Sequence, residues 1–255
     1  MKSPPTLTIV LPMFNEGGRI EGNIRTIIDV VDHSGVDFEL ICVSDGSTDD
    51  TAENARRVGD PRVVVLEYTD NRGKGYAVRS GSLRARGSFV GWLDADLDLD
   101  PASLLVCLSR AQADDLDIVV GSKRHPQSIV DYPWSRRVYS WLYQQFVRVL
   151  FGLKVRDTQV GVKVFRRPVL DTVLPITLVK RYAFDLEVLA LAHACGFRRI
   201  EEAPITLRYQ FSGSSVNWRA IRQALHDTAA VFYRLRLRRS YALPPAPGDR
   251  VAEHR

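Results

Sequence analysis

Only three cysteines occur in 255 residues, Cys42, Cys107 and Cys195. They are odd in number, far apart and form no C-x-x-C pair, which argues against a disulfide framework and a zinc-ribbon site. Each lies in an apolar run, so buried thiols and a reducing compartment are expected. Long apolar runs are lacking too: none approaches the ~20 residues of a membrane-spanning helix. The short apolar stretch at 7–13 runs into a polar turn without a small-residue cleavage site, so neither a signal peptide nor a transmembrane segment is expected. Charge of one sign is scarce, at a net +5, and no internal repeat is found. What the chain does have is 45% hydrophobic and 25% charged residues, enough to build a real core under an ordinary soluble surface.

The first half alternates. Residues 7–11 (LTIVL) read as a buried strand, and Ile20, Ile24, Ile27, Ile28 and Val31 recur at helical spacing. A second strand at 38–43 stops at Asp45-Gly46-Ser47, and Ser47 or Thr48 can cap a helix carrying Ala52, Ala55 and Val58. Strands follow at 62–66, 88–93 and 117–120. Between them come the polar loop 71–75, which opens a helix, and a helix begun by Pro101. Strand–helix alternation predicts an α/β fold with a mostly parallel, twisted sheet flanked by helices. Ligands bind such sheets at the carboxyl ends of the strands, and the polar clusters fall there.

Four of these clusters carry chemistry. Asp94-Ala95-Asp96-Leu97-Asp98 ends a buried strand; carboxylates two apart on an extended segment point the same way. A hard cation, Mg²⁺ or Mn²⁺, bound to substrate phosphates would relieve their repulsion; the plainer alternative is an acidic loop capping the next helix. Phe14-Asn15-Glu16 stands where a P-loop or dinucleotide fold would put a glycine-rich phosphate cradle. An acid there suits a base or ribose instead, or simply a helix N-terminus. Asp45 can accept from a base N–H or a ribose hydroxyl. Lys74 and Arg124, at two further strand ends, can meet phosphate oxygens or stay as solvated surface charge.

The second half is less regular. Residues 134–151 are apolar and aromatic, with Arg137, Ser140, Gln144 and Arg148 as one polar stripe at helical spacing. Val160, Val162 and Val164 alternate as in a half-buried strand, 184–195 read as a helix, and 197–209 as extended chain. Trp218, Ile221, Leu225, Phe232 and Leu235 form a last amphipathic helix that ends in four arginines between 234 and 239. The proline-rich, charged tail from 241 to 255 is expected to be disordered.

Taken in order, IVLPMFNEGGRI, VSDGSTDDT, NRGKGYAVRSG and WLDADLDLDP resemble the family 2 glycosyltransferases of GT-A (Rossmann-like) fold. GSKR at 121–124, DTQVGVKVF at 157–165 and KRYAFDLEVL at 180–189 are similar to the polyprenyl-phosphate subgroup, the dolichyl-phosphate mannose and glucose synthases. The resemblance covers about residues 8–217. It implies one catalytic domain over 1–240, with a nucleotide-sugar half at about 7–125 and an acceptor half at about 126–240.

By that resemblance, Pro12, Phe14, Glu16 and Asp45 hold the nucleoside, with Asn15 among the substrate-binding residues. Phe14 replaces the family's usual tyrosine, which loses one hydroxyl contact. Asp94, with Ala95, belongs to the donor site and to catalysis; Asp96 and Asp98 take the metal; Lys74 and Arg124 face the diphosphate. Asp157 is the first acceptor-side carboxylate, with Asp185 and Glu187 in reserve, unless these cap helices or pair with Lys163, Arg166 or Lys180. Arg137, Gln159 and Lys163 complete the substrate-binding set. The late loop reads Ser212-Gly213-Ser214-Ser215-Val216, without the lysine many relatives carry there, and Arg208 or Arg219 can stand in.

The implied reaction is inverting transfer of a hexose from UDP-glucose or GDP-mannose to a polyprenyl phosphate. The alternative acceptor is a soluble or polymeric sugar, though no Gln-x-x-Arg-Trp motif accompanies it. Trp134, Tyr139, Trp141, Tyr143 and Phe146 beside Arg136, Arg137 and Arg148 suit a peripheral membrane interface, and the terminal arginines would add attraction to anionic lipid. The expected location is the cytoplasmic membrane face. Nucleic acid is not an expected partner, because acidic strand ends would repel its backbone.

Overall fold

Aliphatic, β-branched runs make the first two strands, β1 (Leu7–Met13) and, after helix α1 (Ile20–Ser34), β2 (Phe38–Asp45). Every residue of β2 is buried, as expected for a parallel strand covered on both faces. Helix α1 buries Ile20, Ile24, Ile27 and Val31 along one stripe. It stops at Gly35, whose φ of 71° lets its N–H turn back to the carbonyl of Asp32. In this computed structural model residues 3–130, 134–181, 183–207 and 218–244 are described; for 134–142 and 218–221 only the backbone is.

The chain continues through α2 (Thr51–Arg57), β3 (Val63–Tyr68), α3 (Lys74–Ser82), β4 (Phe89–Trp92), α4 (Ala102–Ala113), β5 (Ile118–Ser122) and β6 (Ile129–Val130). Then come α5 (Trp134–Phe151), β7 (Lys163–Arg166), α6 (Arg167–Val173), α7 (Phe184–Ala194), β8 (Ile200–Pro204), β9 (Thr206–Leu207) and α8 (Trp218–Phe232). Among the described residues one seven-stranded sheet has the order β3-β2-β1-β4-β7-β5-β8, and β6 pairs with β9 apart from it. All neighbours in the large sheet are parallel except β7, which runs antiparallel to both β4 and β5.

Helices cover both faces. On β4 a Cβ at Gly91 would strike Leu104 of α4. The next residue, Trp92, donates its Nε1–H to Ser82 of α3 at 2.9 Å and lies 5.6 Å, ring to ring, from Phe184 of α7. Successive strand residues point to opposite faces, so α4 covers one side and α3 with α7 the other. No described helix is long and apolar enough to cross a membrane, and all three cysteines are buried and in no disulfide.

Two expectations are corrected. Ser47 and Thr48 do not cap α2: the Ser47 hydroxyl accepts the Asn15 N–H at 3.2 Å, while Asp49 accepts the N–H of Thr51 at 3.1 Å. The extended stretch expected at 197–209 holds two short strands, β8 and β9; residues 208 and 209 lie outside the described residues. The acidic segment after β4 is a turn rather than an extended run. Leu97 adopts φ of 54°; Asp94 and Asp96 still line one cavity, and Asp98 is not among its lining residues. Arg208, the loop 212–216, the tail from 245 and the side chains of Arg137 and Arg219 lie outside the described residues.

Candidate active site

The carboxyl ends of β1, β2 and β4 open into one cavity of about 510 Å³, lined among others by Pro12, Phe14, Glu16, Asp45, Lys74, Asp94, Ala95, Asp96, Gln159, Arg181 and Asp185. That size suits a nucleotide-sized ligand. Phe14 stands 47% exposed at its mouth, an aromatic face open for stacking.

Two turns are tied together beneath it. Asn15, at φ of 55°, accepts the Thr48 N–H at 2.9 Å through its side-chain oxygen. Asn15 therefore joins the loops after β1 and β2 and is not part of the cavity lining. Asp45 accepts the N–H groups of Arg72 and Gly73, both at 2.8 Å, which fixes the loop leading into α3. A Cβ on Gly46 would overlap the Asn71 backbone, so glycine is needed for that approach as well as for its φ of 65°. Glu16 pairs with Arg19.

The charges concentrate on the far side. Lys74, at the start of α3, pairs with Asp94. Burial opposes the Lys74 charge, but Asp94 and then Asp185 outweigh it and raise the ammonium above its ordinary value. Burial likewise pushes Asp94 up, yet Lys74, with help from Lys163 and Lys123, holds its carboxyl below the usual range. Asp96 goes the other way: burial, then the like charge of Asp94, raise it. A carboxylate destabilised by its neighbour is a site that a hard dication would relieve. The donor set thus fits Mg²⁺ or Mn²⁺ with Asp96 and Asp94 as protein ligands. Asp98 donates its N–H to Asp96 at 3.1 Å and is not among the cavity residues. No group of three or more metal-type side chains converges among the described residues, so substrate oxygens and water would complete the shell.

Behind the cavity, Lys163 is wholly buried. Its ammonium donates to the Val160 carbonyl at 2.5 Å and to Asp185 at 2.6 Å. Gly161 is needed beside it, because a Cβ there would overlap the Asp94 carboxylate. Asp157, buried to 5% exposure, accepts the Lys123 N–H at 3.3 Å and does not line the cavity; Asp185 does. Glu187 is buried and bonded to the backbone of Leu178 and Val179. Gln159 reaches the cavity and donates to the Tyr143 hydroxyl at 3.2 Å. Arg124 sits in the turn after β5, its N–H on Ser122 at 3.3 Å. Arg181 is a cavity residue that the sequence reading missed. It lies inside the quoted stretch 180–189, but a surface arginine and a cavity arginine look alike in one dimension.

Fold and site together define a GT-A-type α/β protein with an acidic and basic pocket at the strand ends. The model of glycosyl transferase family 2 matches residues 8–174, and the chain belongs to that family. Polyprenol monophosphomannose synthase of Mycolicibacterium smegmatis is 31% identical over 241 residues, 91% of this chain and 89% of that protein. Dolichyl-phosphate beta-glucosyltransferase of Saccharomyces cerevisiae is 28% identical over 222 residues, covering 78% and 66%. Glycosyltransferase AglD of Haloferax volcanii is 30% identical over 203 residues, covering 78% of this chain. The chain spans only 32% of AglD's length and just under two thirds of the yeast enzyme's. Among solved structures, glucosyl-3-phosphoglycerate synthase from Mycobacterium tuberculosis, in complex with Mn²⁺, UDP and phosphoglyceric acid, superposes with a TM-score of 0.68. It is 21% identical, and the match covers 90% of this chain and 78% of that one; the likeness is one of fold.

Proposed function

We propose that this chain transfers a hexose from UDP-glucose or GDP-mannose to a polyprenyl phosphate, with inversion, at the cytoplasmic face of a membrane. The observation that carries this reading is one cavity in which Lys74 and Arg181 face Asp94 and Asp96, below an open aromatic ring. Two cations meet the donor diphosphate, and Phe14 stacks on the base. Asp96 and Asp94 would hold Mg²⁺ or Mn²⁺, whose charge would offset that of the departing diphosphate. Relatives named as lipid-phosphate glycosyltransferases support the acceptor class.

A phosphate oxygen is already anionic near neutral pH, so the acceptor needs orientation more than a strong base. Asp185, on the cavity wall, is the acceptor-side carboxylate in this scheme, and its charge is held by Lys163. Asp157 acts one step back, through the Lys123 backbone. Arg124 and Gln159 serve the donor and acceptor rims.

The test is transfer of radiolabel from UDP-glucose and, separately, GDP-mannose into organic-extractable lipid, with polyprenyl phosphate and Mn²⁺ or Mg²⁺. Lipid label that vanishes with EDTA, and in Asp96→Ala, is the expected result and names the donor. Donor hydrolysis or transfer to a soluble sugar, with no lipid label, would keep the donor site and sink the lipid acceptor.

A further inference from the structure

Glu187 has no exposed surface and takes no part in the chemistry above, yet three donors converge on it. One oxygen accepts the N–H of Leu178 at 3.0 Å and of Val179 at 2.8 Å. The other accepts the hydroxyl of Tyr241 at 2.5 Å. A buried carboxylate is costly unless its bonds are all made, so the three donors act as one unit.

Two parts of the molecule meet there. Residues 178 and 179 lead directly into Arg181, which lines the cavity. That segment is pressed against the start of α3: Tyr76 donates its N–H to the Lys180 carbonyl at 3.2 Å. A Cβ on Gly73, at φ of 97°, would come within 2.6 Å of Arg181 and 2.7 Å of the Lys180 carbonyl. The other part is the end of the described chain. Tyr241 follows α8 and a π-helical segment, Tyr233–Leu237, and is buried to 7% exposure. Arg234 of that segment acts electrostatically on both Glu187 and Tyr241.

We propose that Glu187 and Tyr241 are positioning residues for donor binding. The Glu187 carboxylate clamps residues 178–179 so that Arg181 is presented to the donor diphosphate, and the Tyr241 hydroxyl, delivered by the C-terminal segment, completes the clamp. The C-terminal segment is then part of the donor site although none of its described residues lines the cavity. This rests on the donor-site reading above.

The experiment is a double-mutant cycle read by calorimetric binding of UDP and of GDP, each with Mn²⁺, to the full chain. Arg181→Ala weakens the nucleotide that binds by about tenfold, the size expected for a charged hydrogen bond. Tyr241→Phe weakens it by about three- to tenfold in the wild-type background, and leaves affinity unchanged once Arg181 is gone. Equal factors in both backgrounds, or a lowered melting temperature with unaltered affinity, would overturn the clamp. Should Tyr241→Phe not fold, Glu187→Gln takes its place in the same cycle, with the same two outcomes. If neither UDP nor GDP binds the wild-type chain, the donor-site reading itself fails and the clamp with it; additivity in a chain that binds removes the clamp alone.

Discussion

Two lysine–aspartate pairs flank the cavity, and they differ in what they can do. Lys74 and Asp94 are 47% and 31% exposed at the side chain, whereas Lys163 is at 0% and Asp185 at 17%. The first pair opens onto the cavity, where a substrate anion can compete for the ammonium. The second is sealed on the lysine side: the Lys163 ammonium donates to the Val160 carbonyl and to Asp185, out of reach of solvent. An open pair can trade its partner for ligand, and a sealed pair can only hold its partner in place.

Breaking the sealed pair gives the largest effect. Lys163→Met leaves Asp185 without its cation and costs about 3–5 kcal/mol of stability, the range for removing one partner of a buried pair. Urea unfolding measures it; a loss below about 1 kcal/mol would mean that the two pairs do not differ. The open pair responds differently. Lys74→Met costs under about 1 kcal/mol of stability but lowers transfer by about 10- to 100-fold, the worth of one charged hydrogen bond to the diphosphate. Lys74→Arg, which keeps the charge, recovers part of that rate. Denaturation curves and initial rates on one preparation separate the two effects.

The same division separates what was readable in the sequence from what was not. Asp45 ends β2, Asp94 and Asp96 come just after β4, and Lys74 opens α3 after the polar loop that follows β3, so the strand pattern put them at one edge of the sheet. Lys163 had no such strand-end signal and entered only through the resemblance, as a substrate-binding residue or a partner for the acceptor-side carboxylates; the structure has the second, paired with Asp185. Lys163 stands between Val162 and Val164 in a run whose alternation suggested a half-buried strand. Only the arrival of Asp185, 22 residues later, makes a buried ammonium tolerable there. The reversed direction of β7 was hidden for a related reason, since strand direction is set by pairing with β4 and β5 and not by local pattern. The turn at Leu97 was missed because a positive φ is unusual for leucine, and no local residue announced it.

The far end of α7, the helix that supplies Asp185, gives the smallest effect and bounds the contrast from below. His193 lies there with Arg198, Arg236 and Lys154 around it. Burial first, then these three cations, hold its imidazole below the ordinary value. Arg198 contacts the ring nitrogens directly, so the neutral ring is the favoured form. The sign follows from linkage. Above the unfolded value of about 6.5 both states are neutral and the shift contributes nothing. As pH falls through 6.5 the unfolded chain takes up a proton that the folded chain resists, so stability is lost toward the lower folded value. His193→Gln removes that loss. The variant is therefore more stable relative to wild type at pH 5 than at pH 7.5, by less than about 1 kcal/mol because the site is only partly shielded from solvent. Melting temperatures at the two pH values read the difference. A gap between wild type and variant that stays constant with pH would show that the fold does not hold His193 below its unfolded value.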